Sequence, residues 1–196
     1  MKYFFPIILL SMAGALTGCS CIHPTEQRGK TVMNTEQRET VLIYQQPATG
    51  LHWSKAIIKP VSWHVTSPCH PASAEQQALL RFHLENALAR ELKGNDPQGP
   101  VLHIQAEITD VKPVSPLLNT ASAALILLPV QSGGSAIQIR VTDAADKTLY
   151  LDASLADNAG LYDFSGHFTK WAHSKTTIDR IAQHTRTLLE KTNAHR

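Results

Sequence analysis

Val101-Leu102-His103-Ile104-Gln105-Ala106-Glu107-Ile108-Thr109-Asp110-Val111 alternates apolar and polar side chains along its length. Successive side chains of a strand point to opposite faces, so Leu102, Ile104, Ala106 and Ile108 share one face while His103, Gln105, Glu107 and Thr109 share the other. A strand of this kind is buried on one side and hydrated on the other, and a sheet made of such strands needs cover on one face only. The same rhythm returns downstream in Ile137, Ile139 and Val141, and again in Leu149, Leu151, Ala153 and Leu155. The residues between, Asp143 to Lys147, read as a turn of about five residues, which makes a β-hairpin.

Upstream, Lys55 to Val65 (KAIIKPVSWHV) is rich in branched and aromatic residues and reads as a strand. Pro60 has no amide hydrogen to donate, so this strand belongs at an edge or at a bulge. Ser73 then caps a helix, with Gln76 three residues on to complete a capping box. Leu80, Leu84, Leu88 and Leu92 form an i, i+4 stripe, one buried face, and Gly94 with Asn95-Asp96-Pro97 ends it. A last helix is predicted from near Thr176, with Ile178, Ile181, Ala182, Thr185, Leu188 and Leu189 at helical spacing. The expected architecture is α+β: a single sheet of about four mainly antiparallel strands with two helices packed on one face.

The N-terminus carries a different message. Met1-Lys2 gives a positive start, Tyr3 to Met12 is apolar apart from Pro6 and Ser11, and Ala13-Gly14-Ala15 follows. This is the tripartite layout of a secretory signal, too short to span a bilayer as a helix. Leu16-Thr17-Gly18-Cys19 resembles a lipobox, the recognition motif of the bacterial prolipoprotein pathway. That resemblance implies cleavage after Gly18, a diacylglyceryl group on the Cys19 sulfur and acylation of the new amine. Several buried acyl chains hold where one is marginal, since each buried CH₂ contributes about 0.8 kcal/mol. Ser20, where an Asp would retain a lipoprotein in the inner membrane, points to the periplasmic face of the outer membrane of a Gram-negative cell. Residues 1–18 are thus expected as signal peptide, 19–40 as a flexible polar tether and 41–192 as a globular domain. The tether, with Thr25-Glu26-Gln27-Arg28 repeated as Thr35-Glu36-Gln37-Arg38, spans roughly 30 Å as a random coil.

Composition narrows the function. The 196 residues carry a formal charge of +2, which falls to +1 once Lys2 leaves with the signal. So balanced a chain does not neutralise phosphates, and 6% aromatic residues do not supply a base-stacking platform, so no nucleic-acid partner is expected.

Taken together, Tyr44–Gln46–Pro47, the Ile57-Ile58-Lys59-Pro60-Val61 strand, the Ala74–Leu92 helix, Thr109-Asp110-Val111-Lys112-Pro113-Val114 and the Ala136–Val141 hairpin with Asp143 and Leu149 resemble the bacterial lipoproteins grouped as family 3313 of the domains of unknown function. The resemblance covers most of Val41 to Lys191. It implies an exported, lipidated α/β domain, and no reaction or catalytic residue. The turn Asp143-Ala144-Ala145-Asp146 lacks the Gly expected of such relatives.

Three places invite chemistry. His64, Cys69 and His70 offer imidazole and thiolate ligands suited to zinc or copper, although the spacing matches no closed zinc motif; His52, His83 or His173 completes a site only if the fold brings one near. A His-rich periplasmic surface accounts for the same residues. Ser132-Gly133-Gly134-Ser135 does not follow a strand and open a helix, as a nucleophile elbow or phosphate loop must, and reads as a flexible lead into the hairpin. His167, His173 and Asp163 read as a polar loop rather than an acid–base set. No catalytic residue and no cofactor beyond the lipid on Cys19 is expected. Cys21 and Cys69, in a disulfide-permissive compartment, form a bridge or remain free. Leu117 to Val130 (LLNTASAALILLPV) is apolar and too short to span a bilayer. It is either a buried connection or an exposed loop whose Leu117, Leu118, Leu125, Ile126, Leu127 and Leu128 dock a partner. The expected role is that of a non-enzymatic lipoprotein binding or scaffolding within the envelope, through its lipid anchor and an envelope protein partner, with periplasmic metal binding as the alternative.

Overall fold

A computed structural model describes residues 32–33, 39–47, 49–65, 71–114, 133–159 and 170–191. Their order is β1 (Val32–Met33), β2 (Glu39–Gln45), β3 (Lys55–Ile58), β4 (Ser62–Trp63), α1 (Ala74–Glu91), β5 (Val101–Lys112), β6 (Gly134–Asp143), β7 (Leu149–Asn158) and α2 (Ala172–Glu190). The strands form one seven-stranded sheet in the order β1-β2-β7-β6-β5-β3, with β4 also paired to β5.

The alternating strand behaves as its pattern requires. Leu102, Ile104 and Ile108 are fully buried, and Ala106 nearly so. Ile137, Ile139 and Val141 lie beside them on β6, and Leu155, Ala153 and Leu151 continue the layer on β7. The two helices run side by side over this face: Arg90 Nη2 of α1 donates to Asp179 Oδ1 of α2 at 3.0 Å, and Arg186 Nη1 donates to the Glu91 carbonyl at 3.1 Å. Leu80, Leu84, Leu88 and Leu92 are all buried, as are Ile178, Ile181, Ala182, Leu188 and Leu189. Ser73 caps α1 as expected: its hydroxyl accepts from Gln76 N, and Gln76 Oε1 accepts from Ser73 N at 3.0 Å.

The sheet is larger than four strands and is mixed. β1 and β2 add two strands at the β7 edge, and β1 falls within the stretch read as tether. β3 and β4 run parallel to β5, while every other pairing is antiparallel. The parallel pairing follows from connectivity: α1 lies between these strands and β5, and a helical crossover returns the chain in the same direction. The segment lies at the sheet edge as Pro60 requires, but the single expected strand is broken into β3 and β4 around it.

Two further corrections concern α2 and the Gly-rich run. The helix begins at Ala172, four residues ahead of Thr176, behind Trp171, which supplies no side-chain cap. Gly134 and Ser135 are not a flexible lead but the start of β6, paired with Lys112 and Val111. Ser135 is fully buried, its hydroxyl 2.6 Å from Thr177 Oγ1 on α2. The hairpin turn reaches the left-handed region without glycine, at Lys147 (φ 65°).

Candidate functional site

Among the described residues α1 and α2 lie over one face only, and on the other, toward the β3–β4 edge, residues that alternate away from the core meet. Strand register places them. On β5, Gln105 lies opposite Arg140 of β6, and Glu107 lies opposite Gln138 of β6 on one side and Ser62 of β4 on the other. The Pro60 break widens the sheet at this point. Ile58 pairs with Ile104 and Ser62 with Glu107, so the three edge residues Lys59, Pro60 and Val61 stand opposite only Gln105 and Ala106.

The break is held from both sides. Lys59 N donates to the Ile104 carbonyl at 2.9 Å, the Ser62 hydroxyl reaches the Ala106 carbonyl at 3.4 Å, and Glu85 of α1 accepts from Val61 N at 2.9 Å. The result is a notch of about 320 Å³ lined by Lys59, Ser62, Gln105, Glu107, Gln138 and Arg140, with Pro60 and the Ala106 backbone. Its size matches the lower end of small-ligand sites. Its lining is polar: two carboxamides, two cations, one carboxylate and one hydroxyl.

Arg140 is positioned by β7. Its Nη2 donates to Asp152 Oδ2 at 2.8 Å and its Nε to the same oxygen at 3.3 Å, while Asp152 Oδ1 is buried with no hydrogen-bond partner among the described residues. Two residues before Gln105, the His103 imidazole is held below its ordinary pKa, first by partial desolvation and then by the positive charges of Lys59 and Lys147, with Asp143 opposing them. Tyr150, which donates to Asp143 Oδ2 at 3.0 Å, is raised by desolvation and by that carboxylate.

Of the metal-ligand candidates, His64 stands just past β4 with its side chain 70% exposed and Nδ1 4.0 Å from Glu107 Oε1. Cys69 and His70 lie outside the described residues, as do Cys19, Cys21, His167, Asp163 and the whole of Leu117–Val130. Among the described residues, the other histidines do not gather around His64 as a metal site. His83 faces Asp179 at 3.3 Å, and His173 is buried at the start of α2, where its Nδ1 accepts from Gly133 N at 3.1 Å. Among the described residues, no three His, Cys, Asp or Glu side chains come together as a metal site. No described helix is long and apolar enough to cross a membrane.

The sequence carries only part of the notch: Gln105 and Glu107 fall on the hydrated face of their strand, but nothing local to them says that a break at Pro60 lies beside them or that Gln138 and Arg140 complete the wall.

The family DUF3313, described as a protein of unknown function, matches residues 32–185. No curated protein matches the chain. Among solved structures, the PelC dodecamer from Paraburkholderia phytofirmans is similar at 9% identity, over 74% of this chain and 96% of that one, with a TM-score of 0.43. Protein XCC0632 from Xanthomonas campestris, of family DUF330, is similar at 11% identity, over 74% and 91%, with a TM-score of 0.41. The hypothetical protein CT253 from Chlamydia trachomatis is similar at 14% identity, over 72% and 94%, with a TM-score of 0.34.

Proposed function

This chain belongs to the DUF3313 family, and from that premise we propose that it is a lipid-anchored binding protein of the bacterial cell envelope, acting through contacts rather than catalysis. The signal layout and the Leu16-Thr17-Gly18-Cys19 motif support the anchor, and Ser20 supports the periplasmic face of the outer membrane. The observation that carries the binding role is the polar notch on the sheet face opposite α1 and α2, built by a break that α1 itself braces through Glu85.

The apolar Leu117–Val130 segment is proposed as a second contact, toward a partner protein or the headgroup region. Its described flanks support this. Val114 N donates to the Lys170 carbonyl at 3.1 Å and Ala159 N to the Gly133 carbonyl at 2.9 Å, so the connection leaves and rejoins the domain at one end of the sheet.

Mass spectrometry of the native chain tests the anchor. A chain starting at Cys19 and carrying diacylglyceryl and N-acyl groups is expected, and Cys19→Ser is expected to leave the membrane fraction. An unmodified Cys19 overturns the reading.

A further inference from the structure

The notch holds charges of opposite sign in separate rows. The first row crosses the sheet at Gln105. Arg140 lies opposite it on β6, and Lys59, anchored by its amide to Ile104, stands on the edge side. The second row crosses at Glu107, between Ser62 and Gln138. The two rows are two residues apart along β5, a separation of about 7 Å.

The partners already in place decide what each row still offers. Asp152 takes two donors of Arg140 and offsets its charge, so Arg140 contributes oriented N–H groups more than net charge. Lys59 is exposed and makes no ion pair among the described residues, so it supplies the uncompensated positive charge of its row. In the other row, the only ion-pair partner of Glu107 among the described residues is the imidazole of His64, at 4.0 Å, which is beyond hydrogen-bonding distance. The side-chain amides of Gln105 and Gln138 make no hydrogen bonds among the described residues, and each stands beside one of these charges.

We infer that the notch binds the end of a peptide that bears a free carboxylate and, one side-chain length away, an ammonium group, as a C-terminal lysine or another diamino acid does. The carboxylate lies against Lys59 and Arg140 with Gln105 donating beside them, and the ammonium lies against Glu107 with the Gln138 carbonyl accepting. A ligand with only a carboxylate would leave Glu107 facing it without a partner. A neutral glycan would use the carboxamides and neither charge. The inference rests on reading the notch face as the binding surface, but not on the lipid anchor.

The test is a calorimetric titration of the full chain, in detergent, with N-acetyl-Ala-Ala-Lys in three forms: free acid, C-terminal amide, and free acid acetylated on the lysine amine. The free acid is expected to bind saturably, with each blocked form weaker by about fivefold, the scale of one partly exposed ion pair. Lys59→Gln is expected to erase the difference between acid and amide while keeping that between amine and acetylated amine. Glu107→Gln is expected to do the reverse. Both sites are solvent-facing, and an unchanged melting temperature shows that the fold is intact. Equal binding of the three forms, no saturation at millimolar peptide, or variants that keep both preferences each overturn the inference. Because Cys19 takes no part in the titration, such a failure is separable from a failure of the anchored reading, which the Cys19 mass reports.

Discussion

Glu85 of α1 accepts a hydrogen bond from the backbone amide of Val61, at 2.9 Å, where the edge strand is interrupted. A helix side chain thus satisfies the amide that the Pro60 break removes from the ladder, and the break, which frames the notch, is tied to the helix layer.

Removing that acceptor strands a partly buried N–H. Glu85→Ala is expected to destabilise the fold by about 1–3 kcal/mol. Glu85→Gln, which retains a carbonyl acceptor, is expected to recover most of the loss, and chemical denaturation of the two variants measures the difference.

His103 is expected to titrate below its ordinary value of 6.5, and Lys59→Ala to move the midpoint upward, because Lys59 is the larger of two positive charges acting on it. The sign follows from linkage. The folded pKa is the lower one, so between it and 6.5 the unfolded chain binds more protons, and the contribution of His103 to stability is present above 6.5 and lost as the pH falls toward the folded value. Imidazole proton shifts followed by NMR across this range check both statements.

Lys147 sits at φ 65°, a region in which an L side chain crowds the backbone. Its ammonium donates to the Ala144 carbonyl at 2.9 Å, an exposed contact that returns little. Lys147→Gly is expected to stabilise the hairpin by about 0.5–1 kcal/mol, read as a higher melting temperature.

Gly133 lies where the chain enters β6. A Cβ there would stand 2.7 Å from the Lys112 carbonyl oxygen and 2.8 Å from His173 Cβ. Gly133→Ala is therefore expected to cost about 1–3 kcal/mol and to loosen the start of α2. Hydrogen exchange at Ser174 to Ile178 reports this locally.

What was legible in the sequence depended on how local its cause was. The capping box at Ser73 and Gln76, the leucine stripe of α1 and the hairpin alternation are each set by neighbours a few residues away, and each is found as read. Pro60 pointed to the sheet edge for the same reason, because a missing N–H needs no partner to be missed, but not to the division into β3 and β4. The start of α2 is not legible, because Ala172 to Lys175 carry no cap and a weak apolar pattern. Their helical state comes from burial of His173 and Ser174 against Gly133 and Gly134. The Gly-rich run misled in the same way, since Ser135 is a strand residue through its contact with Thr177, distant in sequence.

The sequence by itself determined the alternation of β5, β6 and β7, the leucine stripe of α1, the apolar spacing of α2, and the family resemblance; these are properties of periodicity and local hydrogen bonding. Tertiary structure alone decided that β3 and β4 lie parallel beside β5, that β2 joins at β7, and that Lys59, Gln105, Glu107, Gln138 and Arg140 share one notch. A strand pattern says which way each side chain points, but which strand lies next to it follows from chain connections and the packing of α1 and α2, which no short stretch of residues encodes.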